Sequence, residues 1–114
     1  MKFKRVSRMI LSDATIKSLI KSKRFIIEPF DENAIQPSSI DLKISDEILF
    51  IEGKEVIFSE ERKVKYREVK CKEIVIPPKK FVLVRTVERV ELPNDIAGMV
   101  KLRSSLSRIG LFLN

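Results

Sequence analysis

Ile40-Asp41-Leu42-Lys43-Ile44 is the stretch on which the fold class turns. Apolar and polar residues alternate strictly there, which is the period of a strand with one face buried and one in water. Upstream the period is different. Ser12-Asp13 precede Ile16, Leu19 and Ile20 at helical spacing, with Lys21, Lys23 and Arg24 following. An N-cap hydroxyl, an acid in the first turn and bases at the end predict a short amphipathic helix over residues 13–22. Phe25-Ile26-Ile27 then runs to Pro29 as a short apolar segment. Downstream, Ile48–Ile51 and Val56–Phe58 flank Glu52-Gly53-Lys54, the pattern of a hairpin with glycine at its turn. Residues 60–73 are rich in charge, but Val64, Tyr66, Val69 and Cys71 fall at strand-like steps, which predicts an exposed strand or β-arm. Pro77-Pro78 interrupt the chain before Phe81–Val87, and Pro93-Asn94-Asp95 turn it into a last strand over Ile96–Leu102. One helix followed by short strands at regular spacing predicts a mainly β domain, a sandwich or barrel with a short N-terminal helix.

Composition limits what such a domain does. At 114 residues it is one small unit with a modest core. Residues 1–8 read as a basic solvated extension, and residues 9–114 as the domain. Lys and Arg number 23 against 16 Asp and Glu, for a net charge of +7, which favours anionic partners and says nothing of fold. Acids interleave with the bases in residues 60–73, and only Tyr66 offers a ring in that basic stretch, so a nucleic-acid stripe is poorly supported. The lone cysteine, Cys71, allows no internal disulfide, which suits an intracellular, cytoplasmic protein, and it reads as packing. No apolar run reaches the roughly 20 residues that span a bilayer, so no membrane association is expected. With no histidine and one cysteine, a zinc deaminase site and a Ser-His-Asp triad are both excluded. Three separated glycines form no phosphate loop. Any chemistry rests on carboxylates, hydroxyls, Arg, Lys and bound water.

The residues best suited to an anionic ligand are Lys101-Leu102-Arg103-Ser104-Ser105-Leu106-Ser107-Arg108. Two guanidinium groups and three hydroxyls lie within six positions. Arg offers a planar fork to phosphate oxygens, and Ser hydroxyls and free backbone amides fill the remaining acceptor sites. A helical turn starting at Ser104 would add its first amides. Such clusters are also common in solvated turns.

Several motifs in order carry a resemblance. Met9-Ile-Leu-Ser-Asp13, Ile27-Glu-Pro-Phe30, Gln36-Pro-Ser-Ser-Ile-Asp-Leu42, Phe81-Val-Leu83, Glu91-Leu-Pro-Asn-Asp-Ile-Ala-Gly98 and Arg103-Ser-Ser-Leu-Ser-Arg-Ile-Gly-Leu111 together resemble the dCTP deaminase family. That family has the trimeric dUTPase-like fold, a distorted β-sandwich or barrel of the β-clip kind. Its members remove the amino group of dCTP without zinc, and some also split dUTP to dUMP and pyrophosphate. The resemblance implies a triphosphate site at Arg103, Ser104, Ser105, Leu106, Ser107 and Arg108, with Ser104 positioning the attacking water and Arg108 near the reacting ring. It also implies Mg²⁺ carried by the nucleotide triphosphate rather than by protein ligands, dCTP or dUTP as partner, and a homo-oligomer, trimeric by analogy. Asp41 matches an acidic position of the family, where it either takes part in chemistry or ties down a turn.

Departures from the family pattern bear on activity. Leu102 stands where a glycine usually precedes the Arg, Ser107 replaces a small Gly or Ala, and Val84-Arg85 replace a common Gly-Thr. The family's pyrimidine-binding hairpin and its proton-shuttling glutamate lie beyond the matched motifs, and a positioned carboxylate of that kind is worth roughly 10²–10⁴ in rate. Three functions therefore stand: a dCTP deaminase or dCTP/dUTP hydrolase, a non-catalytic nucleotide-binding or regulatory relative, and a basic nucleic-acid binder.

Overall fold

Ser12 starts the helix as its sequence requires. Its hydroxyl accepts from the Thr15 amide at 3.3 Å, and α1 runs Asp13–Lys21. The computed structural model describes residues 9–53 and 64–114, so the basic residues 1–8 lie outside it. α1 turns Ile16 and Leu19 inward, and both are buried. At its end Lys23 adopts a left-handed conformation (φ 60°), while the Arg24 and Phe25 amides close on the Leu19 carbonyl at 3.0 and 3.1 Å. This reversal sends Phe25 back under the helix and starts β1 (Ile26–Glu28). Ile16, Leu19, Phe25 and Ile27 form the buried core, with Leu11, Ile20, Ile35, Ile40, Leu42 and Ile96 packed around it.

A 3-10 turn (Glu32–Ala34) leads into β2 (Ile35–Gln36) and β3 (Ser39–Ile40), which pair around Pro37-Ser38. The Asp13 amide donates to the Pro37 carbonyl at 2.8 Å, tying the start of α1 to this turn. β4 (Ile44–Ile51) is the centre of an antiparallel sheet, flanked by β5 (Tyr66–Lys70) and β6 (Val82–Thr86). β7 (Arg89–Glu91) returns to pair with β1, Ile27 opposite Val90. A four-residue helix, α2 (Ser104–Ser107), follows near the end. The chain is thus mainly β, with small antiparallel sheets and one N-terminal helix, in accord with a dUTPase-like fold.

Two local expectations are corrected, and a third falls outside the described residues. The Ile40–Ile44 alternation is not one strand: Ile40 ends β3 and Ile44 begins β4. Ile40 and Leu42 pack on the core while Ile44 is exposed, because the chain passes from one sheet to another between them. The second half of the hairpin expected at Ile48–Ile51, residues 56–58, lies outside the described residues. Both edges of β4 at Ile48–Phe50 are occupied, by β5 and by β6. Non-local pairs support that register: Ile48 meets Val69 and Val84, and the Arg67 guanidinium sits 5.2 Å from the Phe50 ring centre. Finally, Ile96–Leu102 is extended in pattern but enters no ladder among the described residues. Alternation supplies β propensity, but a strand needs a neighbour to take its amides and carbonyls.

Candidate functional site

The 103–108 motif folds into one exposed turn. Arg103 occupies the N-cap position of α2 in extended geometry, and its carbonyl accepts from the Leu106 and Ser107 amides at 3.0 and 3.1 Å. The Arg108 amide closes on the Ser104 carbonyl at 3.0 Å, and Gly110, at φ 90°, ends the turn by donating to the Ser107 carbonyl at 3.1 Å. Leu106 is half-buried, whereas Arg103, Ser104, Ser105, Ser107 and Arg108 all face water. Glycine suits the left-handed position at Gly110, where a side chain would be strained. The helical turn expected at Ser104 is therefore present, and it gathers both Arg residues and all three hydroxyls of the motif on four helical residues and their caps.

What this arrangement can do follows from its donors. The first amides of the turn, at Ser104 and Ser105, have no intrahelical acceptor, as at any helix start. Among the described residues, no carboxylate lies within ion-pair distance of Arg103 or Arg108. Forks, hydroxyls and amides together match the acceptor-only surface of a phosphate chain.

Asp41, which sequence alone left open for chemistry, is engaged in the fold, and so is Glu88. Asp41 Oδ2 accepts from Gln36 Nε2 at 3.2 Å, and the Asp41 amide donates to the Ala34 carbonyl at 2.9 Å. Asp41 thus clips the β2–β3 turn. Glu88 Oε2 accepts from the Lys43 amide at 2.9 Å, and its own carbonyl accepts from Thr86 Oγ1 at 2.7 Å. Glu88 therefore fixes the β6–β7 bend to the entry of β4.

A shallow open groove lies beside that bend, lined by Asp46, Glu47, Arg85 and Glu88 among others, and it contains none of the 103–108 residues. Its charges are paired: Arg85 with Glu47 within the lining, and Asp46 with Lys70 of β5 at 3.9 Å. Arg89 likewise lies between Glu28 and Glu91. The sheet therefore presents mixed charge rather than a basic stripe. Among the described residues, no group of three or more His, Cys, Asp or Glu side chains is placed to hold a metal ion, and no helix is long and apolar enough to cross a membrane. Cys71 is a half-buried free thiol whose amide donates to the Asp46 carbonyl at 2.9 Å.

One polar link escaped sequence reasoning. Arg24 Nη2 donates to both oxygens of Asp95, at 3.0 and 3.1 Å, across 71 residues of chain. Asp95 is visible in the sequence as a turn residue, but nothing in its neighbourhood names Arg24.

Family comparison agrees with this fold and these motifs. A family model described as dCTP deaminase-like matches residues 10–114. The chain belongs to the dCTP deaminase-like family. It is 43% identical over 106 residues to the "dCTP deaminase, dUMP-forming" of Hydrogenobaculum sp. (strain Y04AAS1), covering 92% of this chain and 59% of that protein. It is 40% identical over 107 residues to the "dCTP deaminase" of Pyrobaculum calidifontis, covering 90% of this chain and 61% of that one. With the "dCTP deaminase" of Pyrococcus horikoshii the identity is 40% over 103 residues, 90% of this chain and 56% of the relative. The chain thus spans somewhat under two thirds of these relatives' lengths.

Proposed function

We propose that this chain carries the triphosphate-holding part of a zinc-independent dCTP deaminase, a hydrolase of deoxynucleotide metabolism. The observation that carries the proposal is membership of the dCTP deaminase-like family over residues 10–114. The exposed turn at 103–108 supplies the chemistry. Arg103 and Arg108 grip phosphate oxygens with their guanidinium forks, and Ser104, Ser105 and Ser107 add hydroxyl donors. Leu106, the half-buried residue of the motif, turns away from water between these donors. In hydrolytic deamination, water adds to C4 of cytosine and ammonia leaves. Ser104 would orient that water, and Arg108 would lie at the junction of ring and phosphates. The residues of the turn are cationic or neutral and suit an anion, not a cation. Mg²⁺ would therefore be held by the triphosphate oxygens, where it neutralises their charge.

Turnover of dUTP to dUMP belongs to the same proposal, since one of the relatives is named dUMP-forming. A second reading, nucleotide binding without catalysis, is favoured by one observation: Asp41 and Glu88 already serve the fold. We also place the protein in a homo-oligomer, trimeric in its family. Met99, Val100, Ile109 and Phe112 are each more than 70% exposed, which is more apolar surface than a lone soluble subunit tolerates in one segment.

Incubation of the purified protein with dCTP or dUTP and Mg²⁺, with products separated by chromatography, tests the enzyme reading. Formation of a uracil nucleotide from dCTP, or of dUMP, supports it. Tight nucleotide binding without turnover supports the second reading. Absence of both removes the triphosphate site.

A further inference from the structure

Beyond β7 the chain runs from Leu92 to Asn114 with little to hold it. Among the described residues, every backbone hydrogen bond of that segment is local: Ile96 to Pro93, then those within and after α2. Gly98 packs over Leu92, where an added Cβ would meet Leu92 Cδ1 at 3.0 Å, so residues 92–98 fold back on themselves. Among the described residues, the one hydrogen-bonded link from this segment to the rest of the molecule is the two-pronged Arg24–Asp95 pair. Beside it, Ile96 reaches the core cluster. Residues 97–102 then continue without a ladder to Arg103.

We infer that Arg24 and Asp95 are positioning residues for the 103–108 turn: their ion pair moors the Pro93–Ile96 turn to the end of α1 and so fixes where the segment carrying the turn departs. The inference rests on reading 103–108 as the triphosphate site. Arg24 suits the task because the left-handed Lys23 directs the chain sharply off the helix, and the closure of the Arg24 amide on the Leu19 carbonyl holds its backbone firmly. Nη2 alone reaches both carboxylate oxygens, a charge-assisted contact that holds Asp95 close to the end of α1. Both side chains are exposed, at 54% and 68%, so the link is weak and removable without unfolding the core.

The test is a charge-swap cycle on the full chain: Arg24→Asp, Asp95→Arg and the double variant, with Asp95→Asn as a milder second single. Affinity for dCTP and dUTP with Mg²⁺ is measured well below the melting temperature. Each single variant should weaken binding by about two- to five-fold, the range open to an exposed ion pair, and the swap should restore it. The differences should shrink in high salt. Equal affinity in the wild type and all the variants, or loss that the swap does not rescue, overturns the inference. A ligand-free readout runs alongside. Thermolysin should cut at Met99, Val100 or Leu102 faster in the single variants than in the wild type or the swap, while α1 stays intact. If the wild type binds no nucleotide, the proposed function falls, and the cleavage pattern alone decides the mooring: faster cutting at 97–102 upholds it, and unchanged cutting overturns it.

Discussion

Ile27→Ala is the sharpest test of where the core lies, because its cross-strand partner provides an internal comparison. Ile27 is 6% exposed at the centre of β1 and packs with Ile16, Leu19 and Phe25. Directly opposite it in the ladder stands Val90 of β7, 38% exposed. Truncating Ile to Ala removes three carbons, each worth about 0.8 kcal/mol when buried, so transfer alone gives about 2.4 kcal/mol. The cavity left behind adds to that, for about 3 kcal/mol in all. Val90→Ala removes two carbons that are only partly buried, which gives about 1 kcal/mol by the same arithmetic. At about 4 °C per kcal/mol for a domain of this size, the melting temperature should fall by about 12 °C and about 4 °C respectively. Urea unfolding of both variants and the wild type, with unchanged slopes, measures the two losses. Losses of equal size, or a larger one for Val90, would refute the burial of Ile27 against α1.

Arg103→Ala and Arg108→Ala should each weaken dCTP and dUTP binding by about 1.5–3 kcal/mol, seen by calorimetric titration, because each removes a charged hydrogen-bonding partner. Unchanged affinity in both would remove the phosphate site. Ser12→Ala should cost about 1 kcal/mol of stability through loss of the cap on Thr15, measured by thermal unfolding. Lys23→Gly should gain up to about 1 kcal/mol, since Lys23 holds a left-handed conformation in which a side chain is disfavoured, and a loss on denaturation would contradict that geometry.

Local signals were legible in the sequence. The hydroxyl, acid and apolar spacing of Ser12–Ile20 prescribe α1 almost to the residue, since caps and helical period act within a few positions. Val82–Thr86 and Tyr66–Lys70 fall within stretches whose apolar residues and flanking prolines marked them as strand segments. Pairing was not legible. Phe50 faces Arg67 on one side and Val82 on the other, and no local rule prefers those partners to residues 56–58. Ile96–Leu102 shows the reverse failure, a strand pattern with no ladder partner among the described residues. At the site, the turn at Ser104 follows from its own residues, but the Arg24–Asp95 link spans 71 positions and carries no sequence signature.

Ile48 stands apart from the rest of the buried residues. It is 4% exposed at the heart of the β5–β4–β6 sheet, yet it does not belong to the cluster built on α1, β1 and Phe25. Two apolar centres in one small chain predict two units of cooperativity. The three-stranded sheet should open while the α1 centre stays closed, with amide protons of β4–β6 and of β1 exchanging through different openings. A ligand held on the 103–108 turn, whose segment reaches the α1 centre through Ile96, should then slow exchange around α1 and β1 and leave the Ile48 sheet as it was.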